Sequence, residues 1–157
     1  MTFTGLSNPK KEISGEMGYQ FQFDAENKIL LLRFEGRLTD ELAEELYWAV
    51  RTRSITTDAR AGIWDFSPVT KFDVSPRMIF DLANREPAMP DATRRPRFIV
   101  APTMLGHGVS RLIEFTTSDR NPLLKIVLSV DEAFAALGVQ APHFEPLELS
   151  RPGVGTK

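Results

Sequence analysis

The sequence predicts an α/β domain of order β-β-α-β-α-β-α-β-α, a mixed, mostly parallel five-stranded sheet with helices packed against it. Three observations predict it. Apolar residues alternate with period two near the start of the body, recur at helical spacing in four later stretches, and fill short runs between those stretches. Strands alternating with helices imply right-handed crossovers and therefore parallel neighbours.

Tyr19, Phe21 and Phe23 alternate with Gln20, Gln22 and Asp24, the pattern of a half-buried strand. Ala25-Glu26-Asn27-Lys28 reads as a tight turn. Ile29 to Phe34 is apolar except for Arg33, a second and more central strand, so the pair predicts a hairpin. Thr39 is a helix N-cap, and Asp40 and Glu41 after it suit the positive end of a helix dipole. Leu42, Leu46, Ala49 and Val50 then form one buried stripe. Ile63-Trp64-Asp65-Phe66 is a short strand, and Ser75-Pro76 reads as N-cap and first helical position, with Ile79, Leu82 and Ala83 inward.

A proline-punctuated loop covers Glu86 to Pro96, and Phe98-Ile99-Val100-Ala101 is apolar enough for burial on both faces. Leu105, Val109, Leu112 and Ile113 form a third helical stripe. Ile126-Val127-Leu128 is the last strand, Ser129-Val130-Asp131-Glu132 is a capping box, and Gly138 closes the helix it opens. Residues 1–18 are expected to be an arm, 19–138 the domain, and 139–157 an extended tail rich in proline. Phe144, Leu147 and Leu149 are expected to pin that tail.

The chain's 157 residues fit one domain, and its 42% hydrophobic and 25% charged residues can build a core. A net charge of −2 gives no basic face for nucleic acid. With no cysteine, disulfides, thiolate metal sites and cysteine catalysis are excluded. No secretory leader or membrane-length apolar run stands out, so the expected compartment is the cytoplasm, with no membrane span.

One segment carries a family likeness. Trp64-Asp65-Phe66-Ser67-Pro68-Val69 continues through Phe72 to Asp73-Val74-Ser75. Asp65, Ser67, Val69 and Asp73 fall on an Asp-x-Ser-x-Val…Asp pattern, and with the element order this resembles the STAS domain, the SpoIIAA-like fold of anti-sigma-factor antagonists. The likeness spans about residues 19–138. Pro96 to Glu114 and Asp131 to Gly138 look most like its uncharacterised bacterial branch. The resemblance implies a regulatory, protein-binding module, or a domain that carries a lipid or other small ligand. It also shows a departure. Val74 stands where the family's phosphorylated serine would follow the second Asp, and Ser75-Pro76-Arg77-Met78 replaces the family's small-residue stretch. The usual phosphorylation switch is thus excluded, and Ser75, one position later, is the nearest hydroxyl.

The candidate partner- or ligand-binding residues are Asp65, Ser67, Asp73, Ser75, Gly106, His107, Gly108 and Arg111. Ser75 at a helix N-terminus suits an N-cap or a phosphoacceptor, the cap alone being sufficient reason for a serine. Asp65 and Asp73 near strand carboxyl ends suit turn-making or ligand binding. Gly106-His107-Gly108, with Arg111 a turn later, suits close helix–sheet packing or an anion, but matches no nucleotide loop. His107 and His143 are too far apart for a metal motif, and no nucleophile elbow is present. No cofactor, metal or catalytic constellation is predicted. Arg94, Arg95 and Arg97 read as a small basic cluster, and Tyr47 and Trp48 predict an exposed aromatic on the first helix and with it a homodimer contact.

Overall fold

The computed structural model describes residues 18–102 and 123–147. Its first two strands form the expected hairpin. β1 (Gly18–Asp24) and β2 (Ile29–Thr39) are antiparallel, in register from Gly18↔Glu35 to Asp24↔Ile29. Asp24 builds the turn between them. Its Oδ1 accepts the amides of Glu26 and Asn27 at 3.1 and 3.2 Å, and its Oδ2 accepts Asn27 Nδ2 at 2.7 Å. Such side-chain mimicry of a backbone turn is why Asp favours this position.

The described elements continue as α1 (Asp40–Thr57), β3 (Ala61–Asp65), β4 (Val69–Asp73), α2 (Pro76–Ala83), β5 (Arg97–Val100), β6 (Leu124–Val127), α3 (Val130–Leu137) and β7 (Glu145–Pro146). The sheet order is β6-β5-β3-β2-β1-β7, with β4 also paired to β2. The β2–β3, β3–β5 and β5–β6 pairs are parallel, while β1 is antiparallel to both β2 and β7. The mixed, mainly parallel sheet is therefore as predicted, with seven strands among the described residues instead of five.

The two extra strands have physical causes. β2 runs past Phe34 to Thr39, and Gly36 sits at φ 96° where the register shifts, so the overhanging end of β2 leaves β3 and pairs with β4. That left-handed backbone favours glycine. β4 alternates poorly, only Val69 being buried, so its sequence lacks a strand rhythm. β7 contains a proline, which the edge of a sheet tolerates.

Helices cover both faces. On one, Leu42, Leu46 and Val50 of α1 meet Phe21, Leu30, Leu32 and Phe34. On the other, Ala133 and Phe134 of α3 meet Ile29, Leu31, Ile63, Phe98 and Val100. Phe21, Phe34, Leu30 and Ile63 are fully buried, each contributing on the order of 1.5–3 kcal/mol by burial alone. The three caps read from sequence are formed: Thr39, Ser75 and Ser129 each accept the backbone amide three residues on. The end of the described chain is held at three points. His143 donates its amide to Asp24 Oδ2 at 3.2 Å, Phe144 stacks on Phe134 with centroids 5.9 Å apart, and the Leu147 amide donates to Phe21 O at 2.9 Å. Leu149 lies outside the described residues.

Candidate functional site

The Asp65–Ser75 segment follows the carboxyl end of β3, runs through β4 and opens α2. In open α/β sheets this is the side where ligands and partners meet the fold. Asp65 is the last residue of β3 and 1% exposed. Its Oδ1 accepts both the amide and the hydroxyl of Ser67, the amide at 3.0 Å, shaping the step into β4. Its other oxygen lies 3.7 Å from Nε of Arg33, whose side chain is largely in solvent.

Asp73 ends β4 and is bound by Arg37 of β2 through both Nε, at 3.0 Å, and an outer guanidinium nitrogen. Hydrogen bonding from Arg37, aided by its charge and that of Lys71, holds the Asp73 carboxyl below the usual carboxylate range. The two aspartates thus have separate partners and are not an acid–base pair.

Ser75 is the centre of the segment. Its Oγ accepts the Met78 amide at 3.1 Å as the N-cap of α2. The same hydroxyl donates to Asp40 Oδ2 at 2.8 Å, and the Ser75 amide donates to Asp40 Oδ1 at 2.7 Å. Asp40 is the first residue of α1, so one carboxylate ties the beginnings of two helices together. Its negative charge suits both helix N-termini. Arg85 adds a second tie beyond α2, reaching Glu44 of α1 and Asp81 of α2 at 2.6 Å each. Hydrogen bonding to Glu44 and Asp81 raises the Arg85 pKa further.

Of the predicted residues, the structure places Asp65, Ser67, Asp73 and Ser75 along one continuous stretch. Gly106, His107, Gly108 and Arg111, and the third helical stripe, lie outside the described residues. Arg33 and Arg37 carry no local sequence signal and Asp40 is legible only as a first-turn acid of α1, because each holds a residue more than thirty positions away. The expected basic cluster is corrected. Arg97 is buried in β5, where it donates to the carbonyls of Arg95 and Ala92, and burial pulls its pKa down to about 10. Arg94 and Arg95 lie near Asp91 and Asp58, at 3.6 and 3.7 Å.

A cavity of about 190 Å³ lies between α1, α2 and the sheet, walled by Leu46, Val50, Trp64, Met89, Arg97 and Ile99 among others. Among the described residues no cluster of three or more His, Asp or Glu side chains is arranged for a metal, and no helix is long and apolar enough to cross a membrane.

Element order, parallel crossovers and terminal helix can be set against solved structures. The unphosphorylated anti-sigma factor antagonist SpoIIAA superimposes with a TM-score of 0.55 at 14% identity, over 79% of this chain and 100% of that one. This chain has the STAS fold. An anti-sigma factor antagonist from Mycobacterium paratuberculosis matches with a TM-score of 0.52 at 16% identity, over 85% of this chain and 99% of the other. No family model matches the sequence, and no curated protein matches it. At these identities the STAS likeness describes the fold.

Proposed function

We propose that this STAS-fold domain is a non-enzymatic regulatory module of the cytoplasm that acts by binding another protein, docked across Asp65–Ser75 and the outward face of α2. One observation carries the reading: the polar groups of that segment are spent on architecture. Asp65 serves Ser67, Asp73 serves Arg37, and Ser75 serves Asp40 and Met78. Nucleophilic or acid–base chemistry needs such groups aimed at a substrate. Beside this frame, Lys71 and Arg77 are exposed and Phe80 is 48% exposed. An exposed apolar anchor with a cation, Arg77, one helical turn before it suits a protein surface with a hydrophobic pocket and acidic rim. The anti-sigma-factor antagonists of the same fold support a regulatory role.

A phosphate on Ser75 would add a strongly negative group against the Asp40 carboxylate. In this reading, modification there opens the α1–α2 junction.

Affinity capture from the source organism's lysate, with wild type and Phe80→Asp side by side, tests the proposal. A partner retained by wild type and lost by the variant supports it. A partner held equally by both, or none at all, overturns it.

A second reading, carriage of a small apolar or anionic ligand, is favoured by the cavity beneath α1 with Arg97 in its wall. Its volume of about 190 Å³ is below the roughly 300 Å³ at which ligand pockets commonly begin, which ranks this reading second. Native mass spectrometry of the purified protein, showing a retained small molecule, would reverse that order.

A further inference from the structure

The cavity between α1, α2 and the sheet is built by particular residues. The Trp64 indole lies back along β3 over Gly62, a position only a residue without a Cβ leaves open to the ring. Ile99 of β5 pairs with Trp64 across the sheet, and both line the cavity together with Leu46 and Val50 of α1. The segment after α2 closes one side, where the Tyr47 hydroxyl donates to Glu86 O at 2.7 Å. Trp64, Leu82 and Ala88 pack against the buried core cluster yet stay only partly buried, and all three line the cavity. The fold thus leaves apolar surface there that an apolar occupant would cover.

The charges of the wall are already engaged. Among the described residues they belong to Arg85, Glu86 and Arg97. Arg85 binds Glu44 and Asp81. The Glu86 side chain is 81% exposed and lies 3.5 Å from Arg51. Arg97 donates Nε to Arg95 O at 2.9 Å and an outer nitrogen to Ala92 O at 3.2 Å. An ionised ligand would bring a charge into this space without a waiting counter-ion, which is costly. The volume of about 190 Å³ is close to the roughly 150 Å³ at which an apolar cavity holds one benzene ring. The indole of Trp64 and the thioether of Met89 both favour aromatic neighbours. We propose that this cavity is a binding site for one small uncharged aromatic molecule, of single-ring size, seated against Trp64. The proposal rests on the second reading above, that the cavity carries a ligand, and narrows it to an uncharged one.

Toluene and benzoate differ in charge at nearly equal size and are the probes. Each is titrated into the full chain carrying Trp48→Phe, which leaves Trp64 as its one tryptophan. Toluene is expected to shift Trp64 emission saturably, with half-saturation below about 1 mM, and benzoate to need at least about tenfold more. Ala43→Leu in α1 and Ala88→Leu in the segment after α2 each fill the cavity from a different side. Each, verified as folded by circular dichroism, is expected to weaken toluene binding more than about tenfold. Benzoate binding as tightly as toluene would overturn the choice of an uncharged ligand and leave carriage standing. Saturation by neither probe would overturn the proposal, and the second reading falls with it only if native mass spectrometry also finds nothing retained. Toluene binding unchanged in both filled variants would place the probe elsewhere and overturn the proposal as well.

Discussion

Asp40 holds Ser75 by two hydrogen bonds, from the Ser75 amide to Oδ1 at 2.7 Å and from its hydroxyl to Oδ2 at 2.8 Å. The first residue of α1 thereby completes the cap of α2, across thirty-five positions of sequence. Ser75→Ala removes both the cap acceptor and one bond to Asp40, and should cost about 1–2 kcal/mol. Ser75→Asp keeps a capping oxygen but sets two carboxylates together, so it should destabilise despite being a good N-cap residue. Urea unfolding of both variants in the wild-type and Asp40→Asn backgrounds measures this. The penalty of Ser75→Asp should shrink in the Asp40→Asn background, and an unchanged penalty would show that the two residues are not coupled.

Acid sensitivity should centre in part on Asp24. Burial pushes its carboxyl up, but hydrogen bonds from Asn27, His143 and Glu26 outweigh this and leave the pKa below the ordinary value. Because the folded value is depressed, the stabilisation is complete above the unfolded value of about 3.9 and is lost as pH falls through the lower folded value. Asp24→Asn should therefore be less stable than wild type at pH 7, with the gap closing at the acid end. Denaturant titrations across pH would show it, and a gap that widened on acidification would contradict the assignment.

Ser54 offers a gain. Its hydroxyl is fully buried within α1 and has no hydrogen-bond partner among the described residues. Ser54→Ala removes an unsatisfied polar group and improves helix propensity, and should stabilise the domain by about 0.5–1.5 kcal/mol. Thermal unfolding followed by circular dichroism is the check, with a lower Tm as the contrary result.

Gly62 in β3 lies beneath the indole of Trp64, and a Cβ there would come within 2.4 Å of the ring. Gly62→Ala must displace that indole, which lines the cavity under α1. The expected cost is about 1–3 kcal/mol, with altered tryptophan emission best read in a Trp48→Phe background. Unchanged emission and stability would show that the ring moves aside freely.

These relationships also mark where the sequence was legible. Thr39, Ser75, Ser129 and Gly138 could be read as caps because capping is a contract between near neighbours. The buried stripe of α1 was equally plain, but the helix runs seven residues past Val50, to Thr57. Ile55, Thr56 and Thr57 are β-branched, poor helix formers, and the end is set by Asp58 in the left-handed conformation at φ 55° rather than by a glycine. The strand residues of β4 depend on the overhang of β2, and β7 depends on the edge of β1; neither dependence leaves a local pattern. Asp65, Ser67, Asp73 and Ser75 stood out by type and spacing. The grips of Arg37 and Asp40 on them arise only when β2, β4 and the two helix starts converge.

In the proposed reading the Asp65–Ser75 segment is a frame beside a docking face, and the Ser75 hydroxyl caps α2 and takes no part in binding the partner. The most direct measurement is the affinity of a captured partner, by isothermal titration calorimetry, for wild type, Ser75→Ala and Phe80→Asp, each verified as folded. Binding within about threefold of wild type for Ser75→Ala, and weakened more than tenfold for Phe80→Asp, is predicted. Loss of binding with Ser75→Ala while Phe80→Asp binds normally would contradict it.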